Sequence, residues 1–189
     1  LSAFYHKVPV GHVEAGLRTY DKYSPYPEEM NRKLVTSIAD LYFCPTANNR
    51  ENLRREGVTD GVFVTGNTVI DALKTTVVKD YCFTTKILNE LPYDSKKILL
   101  VTCHRRENYG QPMEDIMSAL AEIARGHDDV ELVYPVHLSP VVQECAKKHL
   151  ADIPNVHLIA PLAADEMHNL MARCYLVLTD SGGLQEEAP

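Results

Sequence analysis

The sequence predicts an α/β fold built on parallel sheet, and three observations predict it. Short β-rich runs alternate with helix-patterned segments along all 189 residues, the order expected of strands joined by crossover helices. Residues 98–102, Ile-Leu-Leu-Val-Thr, are almost wholly apolar, as suits a parallel strand buried on both faces. Charged or glycine-bearing turns follow several strand ends, where open α/β sheets place their ligands.

Residues 8–13 read as a strand, followed by an irregular stretch of Gly, Tyr, Ser and Pro up to Pro27. Pro27 suits the first turn of a helix, where its missing N–H is not needed, and Glu28 and Glu29 suit the positive end of the dipole. Leu34, Val35, Ile38 and Ala39 continue the apolar helical spacing. Residues 41–44 form a strand, 47–56 a helix ended by Gly57, and 62–64 a strand. Gly66-Asn67 then caps a helix running to about Lys79, with a domain junction near Gly66. Residues 82–96, containing Pro92, read as a connection before the strand at 98–102. Met113, Ile116, Met117, Leu120 and Ile123 recur at helical spacing and predict a helix over 113–125. A strand at 131–136 precedes Ser139-Pro140, an N-cap followed by proline at the first helical position, which opens a helix to about His149. Residues 156–159 are a strand, 165–173 a helix and 176–179 a last strand.

Composition narrows the function. A 45% hydrophobic and 24% charged chain is ordinary for a globular protein. The formal charge of −7 argues against a nucleic-acid backbone as partner. No run approaches the length of a membrane helix, and the first residues lack signal-peptide character, so a cytoplasmic address is expected. Cys44, Cys82, Cys103, Cys145 and Cys174 are odd in number and widely spread. With no CxxC pair and no Cys–His pair at zinc-ligand spacing, they read as free thiols in a reducing cytosol, and no metal is expected. The chain has no initiator Met and stops at Glu186-Glu187-Ala188-Pro189, inside a loop-to-helix motif. An internal fragment of a longer protein is expected.

Three constellations could carry chemistry. His12-Val13-Glu14-Ala15-Gly16-Leu17-Arg18 is a strand entering a glycine turn, with Glu14 at its carboxyl end, and Pro25-Tyr26-Pro27-Glu28-Glu29 places two more carboxylates at a helix start. Carboxylates converging on one cleft suit acid–base work at a sugar carbon; the plain alternative is that Glu28 and Glu29 serve the helix dipole. His104-Arg105-Arg106-Glu107-Asn108, directly after the apolar strand, makes a compact positive site for a diphosphate, or else a solvated charged turn. Thr179-Asp180-Ser181-Gly182-Gly183-Leu184-Gln185-Glu186-Glu187 runs from strand through Ser-Gly-Gly into a helix. That leaves backbone N–H groups free for phosphate and a carboxylate one turn on for ribose hydroxyls, although a tight turn is the usual reason for Gly-Gly. His137 is a fourth strand-end residue, which taken alone reads as a packed histidine.

Six blocks, in order along the chain, resemble bacterial non-hydrolysing UDP-N-acetylglucosamine 2-epimerases. They are residues 10–18, 24–32, 65–72, 102–108, 134–137 and 180–187, beginning Val10-Gly11-His12, Ser24-Pro25-Tyr26, Thr65-Gly66-Asn67, Thr102-Cys103-His104, Tyr134-Pro135-Val136 and Asp180-Ser181-Gly182. The resemblance implies two Rossmann-like domains of glycosyltransferase-B type, both incomplete here. Residues 1–66 would be the C-terminal part of the first, and 67–189 a linker helix and most of the second, UDP-binding one. It implies a homodimer that interconverts UDP-N-acetylglucosamine and UDP-N-acetylmannosamine for cell-envelope polysaccharide, without metal or cofactor. The route would be elimination of UDP to a 2-acetamidoglucal and re-addition.

By motif, the resemblance assigns Glu14 and Glu28 to proton transfer and His104 to the departing diphosphate. It assigns Arg105, Ser181, Gly182 and Gly183 to UDP, Glu187 to the ribose, and Arg105 with His137 to a second, allosteric substrate site. An isolated 189-residue chain would lack part of that site and be inactive alone. A hydrolysing epimerase, a glycosyltransferase-B transferase and a non-enzymatic nucleotide-sugar sensor are the alternatives. The carboxylates Glu14 and Glu28 weigh against the last two.

Overall fold

The computed structural model describes residues 1–188 and divides into two compact units, Leu1–Asp71 and Ala72–Pro189. The first opens with a short helix α1 (Ser2–Tyr5) and carries strands β1 (Gly11–Val13), β2 (Leu41–Cys44) and β3 (Val62–Val64), paired in parallel in that order. Helix α2 (Glu28–Thr36) crosses from β1 to β2, and α3 (Ala47–Arg55) from β2 to β3. Thr46 begins α3 with a reciprocal capping box: its hydroxyl accepts the Asn49 amide while the Asn49 side chain accepts from Thr46. The sheet packs its α3 side through Ala15, Tyr42, Cys44 and Leu53, and the Tyr42 hydroxyl sits between the Thr36 and Ala39 carbonyls at the end of α2.

Helix α4 (Thr68–Thr76) spans the division between the units. It stops short of Lys79 because Thr75-Thr76-Val77-Val78 is a β-branched run, costly at χ1 in a helix. The Val78 N–H instead donates to the Asn169 side chain at 2.8 Å. A four-residue helix α5 (Ile87–Glu90) lies within the connection expected to be loop-like.

The second unit then builds β4 (Lys97–Thr102), α6 (Gln111–Gly126), β5 (Val130–Pro135), α7 (Pro140–Leu150), β6 (Val156–Ile159), α8 (Ala164–Met171), β7 (Leu176–Thr179) and α9 (Gly182–Glu187). A single 3-10 turn, Arg106–Asn108, stands between β4 and α6.

All four strands are parallel, in the order β6-β5-β4-β7. The central strands β4 and β5 are buried on both faces, as the apolar run at 98–102 predicted for the first of them. Val101, Leu132 and Tyr134 pack with α6 and α7, while Ile98, Leu100 and Val133 pack with α5 and Leu170 of α8. The chain moves outward from β4 through β5 to β6, then returns to the other side of β4 as β7. Winding direction therefore reverses between β4 and β7, and the crevice beyond their carboxyl ends is the favoured ligand position in this class of sheet.

Candidate functional site

In the first unit, Glu14 directly follows β1 and holds φ +60°, a left-handed conformation uncommon for a non-glycine residue and concentrated at functional sites. The turn after it cannot relax. Gly16 has φ +82°, and a Cβ there would lie 2.1 Å from the Asn49 carbonyl oxygen. The Gly16 carbonyl also accepts the side-chain amides of Asn52 at 3.0 Å and Asn49 at 3.3 Å. Arg18, its side chain fully enclosed, forms a two-pronged ion pair with Glu56, at 2.7 Å for each nitrogen, and donates to the Thr36 hydroxyl at 2.9 Å.

The neighbouring carboxylates Glu28 and Glu29 separate sharply. Glu29 is wholly buried, and its two oxygens accept the amides of Thr19 and Tyr20 at 3.1 Å each. It ties the loop after Arg18 to the first turn of α2. Glu28, one position earlier, is exposed. Glu29 therefore serves more than the helix dipole; its structural role was invisible in sequence, because nothing in Glu-Glu says which side chain turns inward. Pro27 itself is the N-cap, one position before the place expected for it. His12, assigned no role from sequence, is held below its ordinary pKa by burial and then by the charges of Arg18 and Arg32.

In the second unit, the two sequence blocks meet at the reversal point. Thr102 pairs with Thr179 across β4 and β7, and their hydroxyls are 2.7 Å apart. His104 and Arg105 leave β4 as Asp180, Ser181 and Gly182 leave β7. The Arg105 guanidinium lies over the glycine turn: a Cβ on Gly182 would come within 3.2 Å of its Nη2. The His104 ring stacks on that of His137, centroids 5.4 Å apart at 24°. His137 Nδ1 accepts the Ser139 amide at 3.0 Å, so the neutral ring carries its proton on Nε2.

One expectation for this turn needs correction. The Ser181 amide is not free, since it donates to the Thr179 hydroxyl at 2.9 Å. The amides of Gly182 and Gly183, in the first turn of α9, have no acceptor within that helix. Glu187, on the last turn, is partly enclosed, with the His168 ring nitrogen Nε2 3.7 Å from its carboxylate. His168 in turn shares a hydrogen bond of 2.8 Å with the Thr76 hydroxyl. The sequence offered no sign of this contact, made across a long separation.

Asp180 is the half-buried carboxylate of the site. Burial pushes its pKa up, but the amides of Arg105 and His104 and the Asn108 side chain outweigh that, so the carboxyl sits below its ordinary value. Beside it, burial first and the Asp180 charge second push the Cys103 thiol up to about 12. That thiol is inert at neutral pH. All five cysteines are free.

Among the described residues, one trio brings metal-ligating atoms within 4.8 Å of one another: Glu114, Cys145 and His149. Cys145 and His149 lie four apart on α7, a spacing the sequence reading passed over. Yet Glu114 Oε2 already receives the Lys148 ammonium at 2.7 Å and the His149 ring at 2.5 Å. The trio is an ion-pair network between α6 and α7, away from the strand ends. No helix among the described residues is long and apolar enough to cross a membrane.

Known proteins are similar to this chain in sequence and fold. The UDP-N-acetylglucosamine 2-epimerase of Bacillus subtilis is 53% identical over all of this chain, which spans 49% of that protein. A Staphylococcus aureus MnaA–UDP structure superposes with a TM-score of 0.93 at 51% identity, over the whole chain and 51% of the other. The UDP-GlcNAc 2-epimerase of Neisseria meningitidis, bound to UDP-GlcNAc, gives 0.90 at 43% identity, over the whole chain and 52% of the other. The chain thus spans about half the length of these relatives. The family model described as UDP-N-acetylglucosamine 2-epimerase matches residues 1–189, and the chain belongs to that family.

Proposed function

We propose that the whole protein interconverts UDP-N-acetylglucosamine and UDP-N-acetylmannosamine by eliminating UDP to a 2-acetamidoglucal and adding it back with the opposite C2 configuration. The observation that carries this reading is the meeting of His104, Arg105, Ser181 and Gly182 at the reversal point between β4 and β7, where a diphosphate would find a guanidinium, an imidazole and first-turn helix amides. Relatives solved with UDP and with UDP-GlcNAc support the choice of nucleotide.

In this reading Arg105, the Ser181 hydroxyl and the Gly182 and Gly183 amides hold the diphosphate, and Glu187 takes the ribose hydroxyls. His104 faces the β-phosphate and stabilises the charge that develops as the anomeric C–O bond breaks. Glu14 and Glu28 move the C2 proton. A proton at C2 is poorly acidic, and its loss becomes easier as the ring turns oxocarbenium-like; a strained strand-end carboxylate and an exposed helix-start carboxylate are free for that work. Arg105 with His137 is assigned to a second, allosteric substrate site, and the His137 ring stacks on that of His104.

Residues 1–66 are read as the C-terminal part of one Rossmann-like domain, and 67–189 as the linker helix and most of the UDP-binding one. The same reading makes the whole protein a cytoplasmic homodimer that binds no nucleic acid and needs no metal or cofactor. The test is to supply UDP-N-acetylglucosamine to the whole protein and identify the products. A UDP-linked epimer at equilibrium with substrate supports the proposal. Release of free N-acetylmannosamine and UDP would transfer it to the hydrolysing reaction.

A further inference from the structure

Asp180 belongs to the strand end that precedes the glycine turn, but its side chain serves the turn after β4. One oxygen, Oδ2, accepts the His104 amide at 2.9 Å, the Arg105 amide at 2.8 Å and the Asn108 side-chain amide at 2.9 Å. The other, Oδ1, is buried and has no hydrogen-bond partner among the described residues. Its own main-chain N–H donates to the Thr102 carbonyl at 3.2 Å, extending the β4–β7 ladder to its last rung. From the opposite side, the buried Tyr134 hydroxyl donates to the Cys103 carbonyl at 2.6 Å.

The turn bearing His104 and Arg105 is therefore clamped between its two neighbouring strands. Placing a carboxylate at the centre of an anion site is electrostatically costly unless it does something a neutral residue cannot. Here it engages two main-chain amides that could otherwise bind phosphate, leaving the turn to present side chains. Charge-assisted bonds to both amides also fix the backbone from which those side chains project.

We propose that Asp180 is the positioning residue of the diphosphate site: it does not touch substrate, and it acts by setting where the His104 imidazole and the Arg105 guanidinium reach. The proposal rests on the leaving-group role given to His104. Because a misplacement of about 1 Å at a reacting group costs on the order of 100-fold, Asp180→Ala in the whole protein should lower kcat by about that factor, with a smaller change in UDP affinity.

The decisive measurement is a double-mutant cycle. If Asp180 acts through His104 and Arg105, Asp180→Ala combined with His104→Ala should lose clearly less than the product of the two single losses, since coupled residues are not additive. Amide hydrogen exchange supplies an arm that needs no turnover. Exchange at His104 and Arg105 should accelerate at least ~10-fold in Asp180→Ala, while the central amides of β4 stay protected. Should Asp180→Ala fail to fold, Asp180→Asn keeps the shape and one carbonyl acceptor but loses the charge. It should still show faster exchange at those two amides and lowered kcat. Additive losses in the cycle, or wild-type exchange at His104 and Arg105 in either variant, would overturn the proposal. Altered exchange in a protein with no epimerase activity at all would instead point to failure of the functional reading.

Discussion

Arg18 and Glu56 form a two-pronged ion pair at 2.7 Å, with the arginine side chain completely enclosed and the glutamate a quarter exposed. The pair joins the turn after β1 to the end of α3. It also sets a pH dependence. The Arg18 hydrogen bond, opposed by burial, holds the Glu56 carboxyl below its ordinary value. A depressed carboxyl stabilises the fold fully above the unfolded value, and that contribution is lost as pH falls through the folded one. Denaturation of wild type and Glu56→Gln at several pH values should show the wild-type advantage at neutrality, shrinking below pH ~4. At pH 7 the difference should be roughly 1–3 kcal/mol, the cost of leaving a buried cation poorly paired. An advantage that persists unchanged at pH 2 would refute the assignment.

Gly16 offers a stricter steric test. With φ +82° and no room for a Cβ against the Asn49 carbonyl, Gly16→Ala must move α3 or the turn. Unfolding should become easier by about 1–3 kcal/mol, from backbone strain and overpacking together. Equal thermal midpoints for the two proteins would show that the turn is looser than described.

Substitutions at Glu28 and Glu29 should have different consequences. Glu29→Ala removes the acceptor for two amides inside the fold and should lower stability by roughly 1–3 kcal/mol. Glu28→Gln should leave stability within about 0.5 kcal/mol, as surface changes do. If Glu28 moves a proton, its turnover should fall at least ~100-fold with UDP affinity little changed. Paired measurements of unfolding and kcat separate the two roles; normal turnover in Glu28→Gln would return that residue to the helix dipole.

The sequence made the strands legible because each is a short apolar run bounded by turn residues, and residues 41–44, 62–64, 156–159 and 176–179 match their observed bounds. The first strand was read too early. Val10 looks like strand material, but its N–H goes to the Asp40 carboxylate, so pairing begins at Gly11. Strand-end logic found His104 and Ser181, since position after a buried strand is a property of the pattern. It could not find Glu29, Asp180 or His168 as organisers. Their partners lie elsewhere in the chain, and only the folded backbone brings those amides and hydroxyls within reach.

His104 carries the leaving-group hypothesis. A preorganised donor aimed at developing charge contributes about 3 kcal/mol to a barrier, so His104→Ala should slow turnover on the order of 100-fold in both directions. UDP binding by calorimetry should weaken much less, because Arg105 and the Gly182 amide remain. Unchanged turnover with UDP binding largely lost would make His104 a phosphate anchor and nothing more.

The central claim is that the C2–H bond breaks during catalysis, and heavy water tests it most directly. The whole protein, incubated with UDP-N-acetylglucosamine in deuterium oxide, should yield UDP-N-acetylmannosamine carrying deuterium at C2, read by mass spectrometry and by loss of the C2 proton resonance. An epimer formed with its original proton in place would contradict the elimination mechanism and the roles given to Glu14 and Glu28.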